Sequence, residues 1–314
     1  MARTLLAIVL CCILAGCGGG GETPNSSSGG TSAPTSSTSQ TSGPAFEPLQ
    51  SALTVSFDEA AAVADNGAAI DASHVSQGYV GVHGTATSRL KFQVICGEMS
   101  YNYDVPEDDS PIFVPINMGN GDYTFRVMQN TSGNNYVEIL STTASVTLED
   151  EFQPFLHPGV YCDFNDDSEC VKLARELVAD AQNSGDALAA ICTYVIDNVT
   201  YDTEKAEELS TVTGYVPDPD ETLASGSGIC FDYASLTCAM LRSQGIPCRI
   251  MTGYVSPDDI YHAWIMVYID GTWVLGKFTV ESNTWSRIDV TFAASLGDNG
   301  YIGNGETYTD RYTY

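Results

Sequence analysis

Apolar positions along this chain follow three regimes. Leu5 to Leu14 is an unbroken apolar run behind Met1-Ala2-Arg3, and it ends on Leu14-Ala15-Gly16-Cys17. A run of that length is short for crossing a bilayer, so it predicts a cleaved signal segment. From about 51 to 148 the apolar residues fall in short β-branched and aromatic segments split by turns: Gly78–Val82, Leu90–Ile95, Ile112–Val114, Tyr123–Val127 and Tyr136–Leu140. Strands at that spacing, without helical periodicity, predict a small β-sandwich. Gly119-Asn120-Gly121 reads as one of its hairpin turns. Beyond about 150 the period lengthens. Val171, Ala174, Leu177, Val178 and Ala181 recur at helical spacing behind Ser168 as a cap, and Leu188, Ile191, Tyr194 and Val195 mark a second helix from Asp186.

The third regime then passes from helix to strands. Gly226-Ser227-Gly228 permits unusual backbone angles, and Ala234, Cys238 and Leu241 repeat at i, i+4 and i+7 until Gly245 and Pro247, so a helix opens at Cys230. Arg249–Val255 and His262–Ile269 read as strands. Asp270-Gly271 predicts a hairpin turn pairing the second of them with Thr272–Leu275. His262 opens its strand on the face shared by Trp264 and Met266, and Asp289 lies in a later strand-like run from Trp285 to Phe292.

Composition divides the chain further. Residues 18 to about 46 are almost entirely Gly, Ser, Thr and Pro, with Glu22 as the one charged residue. No core forms from such a stretch, which predicts a tether of roughly 30 Å root-mean-square reach. The expected organisation is a signal segment over 1–17, a linker over 18–50, a β-sandwich-like domain over 51–150 and a helix-and-sheet domain over 151–314, an α+β chain overall. Forty acidic against twelve basic side chains leave a net charge of -28, which makes nucleic acid and anionic membrane surfaces poor partners.

Chemistry concentrates in the last domain. A thiol attacks an acyl carbon as thiolate, so it needs a base for its proton and a carboxylate to orient that base. Cys230, His262 and Asp289 supply the three in that order. Opening a helix, Cys230 gains the positive dipole end, which favours a thiolate, and unpaired N–H groups able to donate to an oxyanion. Of the ten cysteines, Cys11 and Cys12 leave with the signal and seven follow Cys17, an odd number that implies at least one free thiol, with Cys230 as the spare. Cys162 and Cys170 are close enough in sequence to bridge one acidic loop, whereas Cys192 and Cys238 lie on apolar helix faces and read as buried free thiols. Asp163-Phe164-Asn165-Asp166-Asp167 begins like a calcium loop, but Ser168 stands at the glycine position and Ala174 at that of the bidentate glutamate, so an acidic turn is the reading. The cysteines lack paired short spacings around histidines, which argues against zinc. His74 and His83 have no reactive companions, and His157 precedes Pro158 in a connection between domains. No cofactor is expected.

At these residues the chain resembles the transglutaminase-like superfamily of papain-like cysteine enzymes, over about residues 152–314. The resemblance rests on Gly228-Ile229-Cys230 with Tyr233-Ala234, Leu241-Arg242 with Gly245-Ile246-Pro247-Cys248-Arg249, Gly253-Tyr254, Tyr261-His262-Ala263-Trp264, and Trp285 four residues before Asp289. It implies a papain-like catalytic domain with Cys230 as nucleophile, His262 as general base and acid, and Asp289 as the group orienting the imidazole. Trp273 departs from the pattern, with Lys277 where the family often places its aspartate; Trp285 restores the spacing, so residues 272–284 read as an inserted hairpin. Val290 stands where many members carry proline. The segment ending at Cys17 resembles the lipobox of bacterial lipoproteins, which implies a diacylated Cys17 holding the protein on the outer face of a membrane, with the lipid as its sole membrane contact. The triad implies an acyl-thioester on Cys230. Water then gives hydrolysis of peptide, protein or cell-wall amide bonds; a primary amine gives protein cross-linking; a non-catalytic binding module on the same fold is the third reading.

Overall fold

A computed structural model of the chain describes residues 39–257, 259–297, 300 and 307–314. The signal segment, Cys17 and linker residues 18–38 lie outside the described residues. The linker expected over 18–50 ends earlier than its composition indicates. Strand β1 (Gln40–Ser42) runs antiparallel to β14 (Thr272–Leu275), and Trp273 Nε1 donates to Ser39 Oγ at 3.1 Å. A Ser/Thr segment with no core of its own can still complete a sheet whose edge offers backbone partners.

The β-rich half consists of two antiparallel four-stranded sheets around one core. In the first, β2 (Val63–Asp65), β3 (Ala68–Asp71), β4 (Tyr79–Gly84) and β7 (Ile112–Pro115) are neighbours in that order. In the second the order is β6 (Met99–Val105), β5 (Leu90–Cys96), β8 (Gly121–Ser132) and β9 (Asn135–Val146). Ile70, Val80 and Val114 from one sheet and Phe92, Tyr103 and Phe125 from the other share the buried cluster. Gly119-Asn120-Gly121 is not a hairpin turn, because β7 pairs with β4 and β8 pairs with β5 and β9. The chain changes sheets there, since turn residues encode a reversal but not the strand that comes after it. β6 escaped the sequence reading although Tyr101, Tyr103 and Val105 alternate inward between polar neighbours.

Helices α1 (Glu169–Val178) and α2 (Ser184–Asn198) match the helical spacing. Ser168 precedes α1, but its side chain does not cap it; Asp220 accepts from the Glu169 and Cys170 N–H groups at 3.1 and 2.8 Å. Two short helices went unread, α3 (Thr203–Leu209) and α4 (Pro219–Ser225). They are flanked by β10 (Thr200–Tyr201) before α3 and β11 (Ser227–Gly228) after α4, which pair in parallel. Helix α5 (Cys230–Ser243) is buried from Asp232 onward. A helix buried on all sides must satisfy its polar side chains internally. Accordingly Ser235 Oγ donates to the Tyr161 carbonyl at 2.8 Å and Thr237 Oγ1 to that of Tyr233 at 2.7 Å.

Beside α5 lies an antiparallel sheet in the order β16 (Ser286–Ile288), β13 (Ile260–Val267), β12 (Cys248–Val255) and β17 (Tyr308–Thr313). Asp270-Gly271 does not join β13 to β14 as a hairpin. β14 pairs with β1 and β15 (Phe278–Val280) instead. Ser184 takes the turn elsewhere, donating to Asp270 Oδ1 at 2.6 Å and accepting from Gly271 N at 3.0 Å. β14 and β15 form a hairpin within residues 272–284, with Lys277 exposed at its tip. Asp289 also ends its strand-like run early: it caps helix α6 (Val290–Leu296).

Candidate active site

The thiol is placed by the chain before and after it. α4 ends on Gly226 in the left-handed conformation at φ 61°, and β11 leads directly into α5. Gly228 is required where it stands, because a Cβ there would meet Asp232 Cβ at 2.6 Å. The fully buried Asp232 accepts from Ile229 N–H and from Lys205 Nζ, both at 2.8 Å, and from the Tyr215 hydroxyl. A carboxylate at the third helical position reaching back to the cap residue's N–H fixes the helix start. Cys230 is thereby held at the first position of α5, half-exposed, where the unpaired N–H groups and the dipole favour negative charge. Sequence reasoning missed Asp232 as a supporting residue. Its signal was an acid two residues beyond the cysteine, at the capping-box spacing.

His262 and Asp289 arrive from neighbouring elements. β13 and β16 pair through Ile265 with Ile288, so the residue after Ile288 lies beside the start of β13. His262 Nε2 and Asp289 Oδ2 are 2.8 Å apart. Asp289 is held at three points, since Phe292 N–H donates to Oδ1 at 2.9 Å and the Tyr308 hydroxyl to Oδ2 at 2.7 Å. The Phe292 ring stacks on the imidazole, with centroids 4.5 Å apart and planes 12° from parallel. His262 is 5% and Asp289 0% exposed, so imidazole and carboxylate are sealed while the thiol is reachable. With Nε2 committed to Asp289, Nδ1 is the ring nitrogen left for Cys230, whose charge acts on the imidazole.

Electrostatics reflect this arrangement. Burial alone would push the His262 pKa down; the charge of Cys230, the hydrogen bonds of Asp289 and Cys230, and the charge of Asp289 outweigh it and raise the pKa to about 10. The ring is therefore an imidazolium near neutral pH, balanced by a neighbouring carboxylate and sulfur. Tyr308, buried beside Asp289, has its phenol pushed up by burial and by that charge, so it stays protonated and donates.

Of the sequence candidates, Cys230, His262 and Asp289 come together, and Lys277 does not reach the ring. The His157 ring lies tilted against Tyr79, 5.2 Å between centroids, and its carbonyl accepts from Arg242, a structural role. Asp166, in the segment resembling a calcium loop, accepts from Ala52 N–H at 2.8 Å and pairs with Arg175. Among the described residues no group of three or more His, Cys, Asp or Glu is arranged to hold a metal ion. A cavity of about 710 Å³ lies elsewhere, lined by Asp104, Phe113, Asp163, Val216 and Glu221 among others, and none of the three reactive groups faces it.

Comparison with known proteins places this geometry in context. An uncharacterised protein of Mycobacterium leprae is 27% identical over 139 residues, 41% of this chain and 46% of that protein. The mouse kyphoscoliosis peptidase is 27% identical over 132 residues, 38% of this chain and 19% of that protein. The matched stretch thus spans less than half of either relative. A solved structure from Cytophaga hutchinsonii, described as a candidate cysteine protease, is 18% identical, covers 75% of this chain and 79% of its own, and superposes with a TM-score of 0.38. Residues 171–276 match the model described as the transglutaminase-like superfamily. That stretch, which holds both Cys230 and His262, is therefore similar to the transglutaminase-like superfamily.

Proposed function

We propose that this chain is a thiol-dependent amide hydrolase that cleaves peptide or cell-wall amide bonds through an acyl-thioester on Cys230, held at an outer membrane surface by a lipid on Cys17. The observation that carries the reading is an imidazole locked between a reachable thiol and a sealed carboxylate, with a pKa raised to about 10. The Cys230 thiolate attacks the carbonyl carbon, and the oxygen takes the electron pair as an oxyanion facing the N–H groups at the start of α5. His262 gives its proton to the departing amine as the C–N bond breaks. Water then attacks the thioester, His262 accepts its proton, and the C–S bond breaks to free the acid and restore the Cys230 thiolate beside the imidazolium. The match of residues 171–276 to the transglutaminase-like superfamily model and the peptidase named among the relatives support amide substrates. Cross-linking shares every step up to the thioester.

The test incubates the protein with a glutamine-bearing protein substrate and a tagged primary amine. New amino termini without tag incorporation, lost in Cys230→Ala, are the expected result. Tag incorporation lost in Cys230→Ala replaces hydrolysis by transamidation. Neither activity, with Cys230 alkylated by iodoacetamide no faster than the buried thiols, leaves a binding module.

A further inference from the structure

The last strand carries a β-bulge beside the reactive pair. β12 and β17 match Thr252 with Tyr312 and Gly253 with Asp310, which leaves Arg311 as the extra residue. A bulge re-aims the side chain it inserts, and bulges gather next to active sites. Here the exposed Arg311 guanidinium lies over the rings of Tyr312 and Tyr254, 5.3 and 5.9 Å from their centroids, and its Nη1 donates to the Tyr254 hydroxyl at 2.8 Å. Tyr254 pairs in register with Tyr261, the residue before His262, and the two rings meet edge to face at 5.4 Å. One cross-strand step and one residue along β13 thus separate Tyr254 from His262, within roughly 10 Å or about three residues of extended peptide.

Arg89, Lys91, Arg126, Lys172, Arg175 and Lys205 each pair with a carboxylate, whereas Arg311 pairs with none among the described residues. A guanidinium without a carboxylate, in a chain of 40 acidic and 12 basic side chains and steadied by phenols, is prepared for an incoming anion. Its planar fork holds more N–H donors than the two phenols take up. The neighbouring surface is apolar and open: Ile260 is 57% and Tyr261 52% exposed, and the Tyr261 hydroxyl is anchored by donating to Thr252 Oγ1 at 2.8 Å. Large apolar side chains left in water beside a reactive group mark a ligand contact. Burial pushes the Tyr261 phenol up, and the bond to Thr252 and the charge of Arg311 oppose it, so the guanidinium is within electrostatic reach of the residue beside His262.

We propose that Arg311, steadied by Tyr254 and Tyr312, binds a carboxylate of the substrate, while Ile260 and Tyr261 contact the peptide between that group and the scissile amide. This role rests on the amide-cleaving reading of Cys230 and His262, and it gives that site a substrate class: a peptide presenting an acidic side chain or a free carboxyl end within about three residues of the cleaved bond. The net charge of -28 repels an anion at long range, so the attraction is local and the arginine supplies it.

The test reads binding, so it does not depend on turnover. The full chain carrying Cys230→Ala is titrated into dansyl-labelled Gly/Ala peptides: an amidated peptide with one glutamate, the same peptide with glutamine, and the glutamine peptide with a free carboxyl end. Fluorescence anisotropy at low salt is expected to show a carboxylate-bearing peptide bound roughly tenfold more tightly than the neutral one, and the preferred peptide tells a side-chain carboxylate from a terminal one. Arg311→Gln erases the preference and Arg311→Lys keeps part of it. Arg126→Gln on β8 makes the same change in net charge and keeps all of it. Equal binding of the three peptides, binding of none, or a preference that survives Arg311→Gln overturns the proposal. A chain that fails the amine-tag assay yet keeps the preference loses the hydrolase reading alone.

Discussion

Tyr308 donates its hydroxyl to the same Asp289 oxygen that pairs with His262, at 2.7 and 2.8 Å. The carboxylate that aims the imidazole is thus itself aimed, by a residue from the last strand of the sheet. Tyr308→Phe removes that donor and leaves part of a buried carboxylate unsatisfied. The expected cost is about 1–3 kcal/mol of stability, read from the urea midpoint. Turnover falls by less than it does on loss of Asp289, because Phe292 N–H and His262 still hold the carboxylate.

Asp289 combines two roles that substitutions separate. Asparagine keeps an acceptor for the Phe292 N–H and caps α6 about as well as aspartate does. It cannot balance an imidazolium. Asp289→Asn is therefore expected to lower turnover by about 10²–10⁴-fold with little loss of helix capping, while Asp289→Ala loses both. Steady-state kinetics beside thermal unfolding checks the split. Equal stability losses in the two variants count against it.

The pH dependence originates at His262. Its folded pKa of about 10 exceeds the ordinary 6.5, so the folded state binds the proton more tightly than the unfolded chain. The stabilisation is complete below about pH 6.5, declines as pH rises, and is gone once pH passes about 10. Burial alone would have moved the pKa the other way, and the charge of Cys230 is the largest effect opposing it. Cys230→Ala should therefore lower the His262 pKa measured by NMR titration and narrow the alkaline range over which stability declines. An unchanged titration midpoint in that variant refutes the sulfur–imidazole coupling.

Asp232 joins three elements, with Lys205 from α3, Tyr215 from the loop after it and the Ile229 N–H at the start of α5. Removing the acid leaves Lys205, the Tyr215 hydroxyl and the Ile229 N–H without the carboxylate they share. Asp232→Ala should destabilise the fold by about 3 kcal/mol in urea unfolding, the low end for a broken buried pair, because Lys205 retains partial access to water. It should also slow alkylation of Cys230, because the helix start loses the bond that fixes it. Alkylation at the wild-type rate in a folded variant dissociates Asp232 from the placement of the thiol.

The amino-acid sequence by itself determined the local chemistry of this protein. A helix opening at Cys230 was legible from the Gly226–Gly228 bend and the i, i+4, i+7 apolar positions, and the order of thiol, imidazole and carboxylate marked the reactive groups. Alternation and turn residues likewise placed several strands, because side-chain period is a local property of the backbone. The strand pairings on either side of Asp270-Gly271 and of Gly119–Gly121 were not legible. A turn sequence encodes that the chain reverses, while the partner it finds depends on which sheet offers an open edge to backbone groups far away in sequence.

Only the tertiary structure decided that Asp289, and not Lys277, meets His262. That choice depends on the register of β13 against β16 and on the β14–β15 hairpin carrying Lys277 to the surface. Asp232 and Tyr308 were hidden for the same physical reason. A buried polar or sulfur group is defined by the partners that satisfy it, and those partners come from strands and helices that only folding brings into reach.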